Sequence, residues 1–196
     1  MDSEDFWQLI GAARERAAAG PADGSASTCV DGEAVAEAAV ALLAARPAAE
    51  IVAAQQELWD AMAASYTNPL WAAAYTINGG CSDDGFDYFR GWLIAQGRDV
   101  FERVTADPDT LADLPAVRAA AAEWEELDCE AVLGIVWNAH LRATGEQLPA
   151  KSFTIRYPAL DPDWGFDFDD RAEMARRLPR LTALYAHHYA DHAAGH

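Results

Sequence analysis

The chain has 196 residues, enough for one well-buried domain but short for two independent ones. Hydrophobic residues make up 52% of the chain, with 7 Trp, 7 Phe and 6 Tyr, and this composition excludes global disorder. The chain has 14 Lys and Arg but 32 Asp and Glu, so its formal net charge is −18. A charge of this sign disfavours binding to nucleic acids and anionic membranes and favours basic partners or cations.

The cysteines and the N-terminus indicate the compartment. Cys29, Cys81 and Cys129 are too few and too widely spaced for a disulfide scaffold or a Cys-X-X-Cys zinc site, so reduced thiols are predicted. The first residues, MDSEDFWQLI, lack the basic start and apolar core of a secretory signal. No apolar run reaches the length of a membrane-spanning helix. We therefore expect a cytoplasmic protein.

Helical patterns dominate the chain. Ser3 is the predicted N-cap of the first helix, and Asn68 followed by Pro69 predicts the start of the fourth. Residues 20–32 are rich in Gly, Ala, Ser and Asp without a period, which predicts a flexible loop. The predicted helices cover residues 3–19, 33–46, 49–65, 68–78, 116–126, 129–144 and 178–190, with one more helix after Asp83 or Asp84 and another from beyond Gly97 to Thr105.

The best candidate for a site is residues 78–97, NGGCSDDGFDYFRGWLIAQG, called the corner below. Gly79 and Gly80 end the fourth helix, because glycine adopts left-handed cap geometry without steric cost, and Asp83 or Asp84 is expected to cap the next helix. The N–H groups at that helix start point into a turn that carries carboxylates, an amide and a guanidinium beside aromatic side chains. This arrangement predicts a site for a small polar molecule or for a partner's side chain.

Three interpretations of the corner stay open. As an enzyme site, it would use Asp83 or Asp87 as a general base and Arg90 to clamp an anion. Cys81, just ahead of a helix N-terminus, is then the candidate nucleophile, although an inert thiol is favoured because no histidine is near it in sequence. The structural interpretation takes one Asp as a cap, Asp87 and Arg90 as an ion pair, and the aromatic residues as core. As a binding site, the corner offers the side chains of Trp71, Tyr75, Asn78, Ser82, Asp84 and Trp92.

A histidine pair near the C-terminus raises the question of a metal. His188 and His192 are spaced i, i+4, and that spacing can chelate a transition metal on one helix face. A stable site needs a third ligand, which the local sequence does not supply. A frayed tail over residues 186–196 is therefore favoured, and no cofactor is predicted.

The sequence changes character over residues 151–170, KSFTIRYPALDPDWGFDFDD. Apolar and polar residues alternate from Phe153 to Tyr157, which allows a short strand, while Pro158 and Pro162 enforce irregular backbone. An extended segment that wraps the helical core is the alternative. Carboxylates interleaved with aromatic residues do not fit an EF-hand loop and predict an acidic surface loop or a docking edge for a basic partner. The carboxylates are Asp161, Asp163, Asp167, Asp169 and Asp170.

The corner also carries a family resemblance. The run YTINGGCSDDGFDYFRGWLIAQGRDVF, with FWQLI near the N-terminus, YP at 157–158 and PRLTALY near the end, resembles an uncharacterised bacterial family, domain of unknown function 4240. The resemblance spans most of the chain and implies a shared fold, but it implies no chemistry. The positions it marks are Gly79, Gly80, Cys81, Ser82, Asp83, Asp84, Phe86, Phe89, Arg90, Trp92 and Gly97.

Together these patterns predict a mainly α, single-domain, helical bundle-like fold over residues 1–196, with a long irregular segment or one short strand wrapping it near the C-terminus. The leading functional hypothesis is a recognition or regulatory protein that binds a basic protein or peptide, because the charge is −18 and no catalytic set is recognisable. The alternative is a small-molecule enzyme with a polar pocket at the corner.

Overall fold

The computed structural model describes residues 1–19 and 31–193, the last four without their side chains. Most of the predicted loop 20–32, with Cys29, therefore lies outside the described residues. Short 3₁₀ turns cover Pro108–Asp113, Glu130–Gly134 and Pro162–Trp164. The α-helices are α1 (Ser3–Ala18), α2 (Gly32–Leu43), α3 (Ala48–Ala64), α4 (Asn68–Asn78), α5 (Asp83–Ala95), α6 (Arg98–Ala106), α7 (Pro115–Glu123), α8 (Ile135–Thr144), α9 (Arg171–Arg177), α10 (Pro179–Leu184) and α11 (Ala186–Ala193).

The prediction of a mainly α fold is confirmed. The described ranges contain helices and irregular segments but no strand, so the short strand considered for 151–170 does not form there. None of the helices in these ranges is both long and apolar enough to cross a bilayer.

Two predicted N-caps are each displaced by one residue. Asp2, not Ser3, caps α1, where its carboxylate accepts from the Asp5 N–H at 2.9 Å and Asp5 reaches back to the Asp2 N–H. Thr67, not Asn68, caps α4. In both cases the residue with extended backbone just before the helix is the cap, and adjacent residues of capping type cannot be ranked from sequence alone.

The predicted last helix, 178–190, is divided into shorter pieces and begins earlier. Pro179 lacks an N–H and disfavours helical backbone at the preceding residue, so α9 ends and Leu178 adopts φ −127° and ψ 60°. A second break falls at Tyr185, whose buried hydroxyl donates to the Val117 carbonyl at 3.3 Å. These breaks let α9, α10 and α11 turn around one end of the helical core.

The helix α5 lies at the centre of the fold. It contacts α1, α2, α3, α4, α6 and the 130–134 turn. Its apolar stripe of Phe86, Phe89 and Leu93, predicted from the i, i+3, i+7 spacing, is fully buried. The corner is therefore held by the core on one side of α5, and the exposed residues of this helix, Asp83 and Asp84, lie in its first turn.

Residues 151–170 wrap the core as an irregular segment, called the wrapping segment. Over α3, the Thr154 N–H donates to the Gln56 side chain at 2.8 Å, and Gln56 donates back to the Thr154 carbonyl at 3.2 Å. Over α4, the Tyr75 hydroxyl donates to an Asp169 carboxylate oxygen at 2.8 Å. The segment thus takes its hydrogen bonds from helix side chains instead of from a neighbouring strand, as the wrapping alternative predicted.

Candidate functional site

Ser82 begins the corner helix. Its backbone is extended and its hydroxyl accepts from the Gly85 N–H at 3.2 Å, so Ser82 is the N-cap of α5 and the prediction of Asp83 or Asp84 was wrong. Both aspartates instead occupy the exposed first turn, where the positive end of the helix dipole stabilises their charge. At the other side of the turn Gly79 has φ 66°, the left-handed geometry that the sequence predicted.

Of the side chains predicted to bind a ligand, two make hydrogen bonds within the protein and a third is buried. The Trp71 indole N–H donates to the Cys81 carbonyl at 3.0 Å. The Asn78 amide makes two bonds with the backbone of Leu127, accepting from its N–H at 2.9 Å and donating to its carbonyl at 3.2 Å. Trp92 is buried in the core. The two Asn78 bonds hold the loop after α7 against the corner.

Arg90 is buried beneath the corner. Its side chain is 1% exposed, donates to the Met62 carbonyl and to the Asp87 carboxylate, and lies 5.1 and 4.8 Å from the ring centres of Tyr66 and Phe86. Burial lowers the pKa of the guanidinium, and Asp87 opposes this. The predicted ion pair between Arg90 and Asp87 is present. Because the guanidinium is buried against the Met62 carbonyl, Arg90 is poorly placed to clamp an external anion.

Cys81 is half-buried and its thiol is protonated at neutral pH. Burial raises the pKa of Cys81 to about 12; nearby Arg90 works against this, while Glu126 adds to it. The buried His140 is engaged elsewhere, with its Nδ1 3.0 Å from the Glu146 carbonyl oxygen. The inert-thiol interpretation of Cys81 fits these contacts better than the nucleophile interpretation.

We expect native Cys81 to react slowly with iodoacetamide. A pKa raised from 9.0 to about 12 lowers the thiolate fraction about 1000-fold, and the greater nucleophilicity of a more basic thiolate recovers part of this, so labelling should be about 50-fold slower than in the unfolded chain. Peptide mass spectrometry at pH 7.5, with and without denaturant, measures the ratio. The native rate should still rise between pH 9 and 12. Equal rates in the two states would restore Cys81 as a candidate nucleophile.

Carboxylates from two parts of the chain meet at the corner. Glu126 lies close enough to Cys81 to raise the pKa of its thiol, as Asp83 and Asp87 do. Glu130 is the largest cause of the raised pKa of the Tyr88 hydroxyl, which Asp84 and Asp87 also raise. The backbone bond from the Cys129 N–H to the Tyr88 carbonyl, 3.0 Å long, fixes this approach. The acidic face defined in this way consists of Asp83, Asp84, Asp87, Glu126 and Glu130.

Sequence reasoning found the first three members of the acidic face and missed the two glutamates. The signal that could have found them is the run EWEELDCE over residues 123–130, whose carboxylates have no basic neighbour in sequence. Their meeting with α5 depends on the Asn78–Leu127 contact, which joins residues 49 positions apart. Local patterns do not contain that information.

Trp124 lies on the same loop as Glu126. It ends α7 with φ 55°, a left-handed conformation that is uncommon for a residue other than glycine. Its indole packs over Gly79, where a Cβ would lie 3.3 Å from the indole Cζ2, and against the His188 ring at a centroid distance of 3.9 Å. The side chain is nevertheless 37% exposed, which places an apolar surface close to the acidic face.

A pocket of about 510 Å³ lies elsewhere, between α4, the wrapping segment and the helices α9, α10 and α11. We call it the C-terminal pocket. Most of its wall is apolar, from residues such as Phe168, Met174 and Pro179. Of the residues predicted for a site, Tyr75 is in its lining. Sequence reasoning missed the pocket; the signal that could have found it is the run FDFDD over residues 166–170, of which Phe168 and Asp169 line the pocket.

Two phenols at the C-terminal pocket are held in the protonated form. Burial raises the pKa of Tyr189 to about 12. The hydrogen bond to Asp169 is the largest cause of the raised pKa of Tyr75. Both hydroxyl groups therefore keep their protons at neutral pH and can donate them.

The predicted metal pair is not supported by a third ligand. His188 Nε2 contacts the Ala121 carbonyl oxygen, and the side chain of His192 lies outside the described residues. Within the described part of the chain, no group of three or more His, Cys, Asp or Glu side chains is arranged to hold a metal ion. The described part of the predicted frayed tail, residues 186–193, forms the helix α11, because His188 and Tyr189 pack against the core.

In its described residues this is a mainly helical protein with an acidic face at the exposed start of α5 and a separate apolar pocket. A family model described as "Protein of unknown function (DUF4240)" matches residues 1–142. Because the match covers 142 of 196 residues, the chain belongs to this family, as the corner run implied. Searches of curated proteins and of solved structures each found no match. The matched range contains the whole acidic face but ends before the wrapping segment and α9 to α11.

Proposed function

We propose that this protein is a recognition or regulatory protein whose acidic face binds a basic protein or peptide. The observation that carries the proposal is that hydrogen bonds from Cys129 to Tyr88 and between Asn78 and Leu127 hold the 123–130 loop against the corner, which brings the five carboxylates of the acidic face near Tyr88 and Cys81. Among the described residues, the ion pair made by this face is that of Asp87 with Arg90, which lies beneath it. The remaining carboxylates are uncompensated and present a negative field to solvent.

Charge alone would give such a surface little affinity. An exposed ion pair contributes about 0.2–1 kcal/mol, so complementary charges mainly steer the encounter and select the partner. Trp124 offers the apolar contact that the carboxylates cannot make, and tryptophan is among the residues that most often anchor protein interfaces. Its exposed indole beside Glu126 fits a partner segment that combines basic residues with an apolar side chain.

Catalysis at the corner has weaker support. Arg90 is turned inward onto the Met62 carbonyl, and the raised pKa of Cys81 removes the thiolate that a nucleophile requires. Asp87 is engaged with Arg90. The side chains that an enzyme would use at this place are thus committed to holding the corner, which suits a rigid binding surface.

We expect neutralisation of the acidic face to release the partner. Affinity purification from the encoding organism, followed by mass spectrometry, should recover a basic protein with the unmodified chain. The triple variant Asp83→Asn, Asp84→Asn, Glu126→Gln should bind it about 10- to 100-fold more weakly, because each lost rim charge contributes up to about 1 kcal/mol. Titration calorimetry with the purified partner measures the change.

The matched control removes three carboxylates from other exposed positions. Glu15→Gln, Glu37→Gln and Glu146→Gln change the net charge by the same amount, and these three exposed residues, on α1, on α2 and after α8, are not members of the acidic face. This variant should keep the affinity within about two-fold. An equal loss in both variants would mean that overall charge, and not the acidic face, holds the partner.

A further inference from the structure

We propose that the C-terminal pocket binds an amphipathic amine, a ligand whose ammonium group faces Asp169 and whose apolar body fills the space between α4, α9, α10 and α11. This site and its ligand are separate from the acidic face and its protein partner. The proposal rests on the size of the pocket, on the direction of every hydroxyl hydrogen bond in its lining, and on its charges.

The volume suits a small organic molecule. At about 510 Å³, the pocket lies within the range of about 300–1,000 Å³ that is usual for ligand sites. Phe168, Met174, Pro179 and Ala186 provide an apolar wall. A ligand needs a body of aryl or branched alkyl character to replace the water in such a space.

The hydroxyl groups of the pocket act as hydrogen-bond acceptors toward a ligand. Tyr75 donates its proton to the Asp169 carboxylate at 2.8 Å, and Tyr189 donates to the Thr76 carbonyl at 2.6 Å. Thr76 and Thr182 donate to main-chain carbonyls four residues earlier, at 3.0 and 2.8 Å. Since carboxylates and carbonyls can only accept, all four protons are committed, and the four oxygens can offer only lone pairs. A ligand that bonds to these hydroxyl groups must therefore bring the donors.

The charges in and near the pocket also favour a cation. Asp169 lies in the lining, and Asp167 is near enough to contribute to the raised pKa of Tyr75. Arg171 is the cation of the lining, and its guanidinium is engaged: it donates to the Tyr189 carbonyl at 2.7 Å and stacks 5.2 Å from the centre of the Tyr189 ring. Within the lining the charges of Asp169 and Arg171 balance, so the negative potential comes from Asp167 beside the pocket and from the net charge of −18 of the chain.

Aromatic faces complete the recognition of an ammonium group. Phe168 meets Tyr75 edge to face at 5.7 Å, and both line the pocket. Rings in such positions attract cations within about 6 Å of their centres. The stacking of Arg171 on Tyr189 is an instance of this attraction already present at the pocket wall.

A matched pair of probes tests the proposal on the full chain. 3-Phenylpropylamine and 3-phenylpropionate share one body and differ in charge at pH 7. Calorimetry or ligand-observed NMR should show the amine binding at least ten-fold more tightly than the carboxylate. Equal or tighter binding of the carboxylate, or no binding of the amine up to about 10 mM, would overturn the proposal.

Variants locate the binding. Asp169→Asn keeps an acceptor for Tyr75 and should weaken the amine about ten-fold, while the matched change Asp163→Asn on the same segment should have no effect. Ala183→Trp, at an exposed position in the lining, should fill the pocket and abolish binding with the helical circular dichroism unchanged. If the amine binds both Asp169→Asn and Ala183→Trp as tightly as the unmodified protein, it binds elsewhere, and the C-terminal pocket is not its site. Because none of these residues belongs to the acidic face, the result is independent of the protein partner.

Discussion

Replacing Gly91 with alanine is expected to destabilise the protein by about 3 kcal/mol, the reverse of the usual effect of this change in a helix. An alanine in place of a helical glycine normally stabilises by about 0.5–1 kcal/mol because it reduces the freedom of the unfolded chain. A Cβ at position 91, however, would lie 2.5 Å from the Cys129 carbonyl oxygen, where the 130–134 turn approaches α5. Main-chain atoms cannot rotate aside, so the two elements must separate.

Gly11→Ala is the matched control for this prediction. Gly11 is also helical, in α1, and a Cβ there meets nothing within 4 Å. Its substitution should raise the free energy of unfolding by about 0.5–1 kcal/mol. Thermal unfolding should shift the Tm by about −10 °C for Gly91→Ala and by a few degrees upward for Gly11→Ala. Shifts of the same sign in both variants would contradict the close approach at Gly91.

The helices could be predicted because their signals are local. Apolar residues at i, i+3 and i+7 place Phe86, Phe89 and Leu93 on one buried stripe, and this spacing is readable from the sequence. The ends of helices are harder to predict from sequence. Ser82, Asp83 and Asp84 all have side chains that can cap a helix, and only the backbone conformation identifies Ser82 as the N-cap.

The surfaces that could bind a partner or ligand depend on contacts far apart in sequence. Glu126 joins the acidic face because Asn78 holds Leu127 across 49 positions. The C-terminal pocket closes because the Tyr189 hydroxyl reaches the Thr76 carbonyl across 113 positions. Periodicity within one helix cannot place these pairs together, so the corner was found from sequence and its enlarged acidic face and the pocket were not.

The sequence also does not show in which direction the side chain of Arg90 points. From sequence, Arg90 follows Asp87 by three residues and could equally face a ligand or the core. The contact with the Met62 carbonyl, on α3, turns it inward. The inner polar groups therefore fasten the corner, as the structural interpretation predicted, and the outer carboxylates face solvent.

Arg90→Ala is expected to lower the free energy of unfolding by about 3–5 kcal/mol, because removing one partner of a buried pair leaves the other groups unsatisfied. The Met62 carbonyl loses the guanidinium and keeps only the Ser65 hydroxyl as a side-chain donor, and the rings of Tyr66 and Phe86 lose the cation near them. Urea unfolding measures the loss, and the Tm should fall by about 10 °C or more.

Arg90→Met and Asp87→Asn separate the causes of that loss. Methionine fills much of the same volume without a charge, and a hydrophobic side chain in place of a buried ion can restore stability, so Arg90→Met should be less destabilised than Arg90→Ala. Asp87→Asn removes only the partly exposed end of the pair and should have the smallest effect. If Arg90→Ala instead unfolds within about 1 kcal/mol of the unmodified protein, the guanidinium does not fasten the corner. It would then be free to meet a ligand, and the enzyme alternative for the corner would regain its anion clamp.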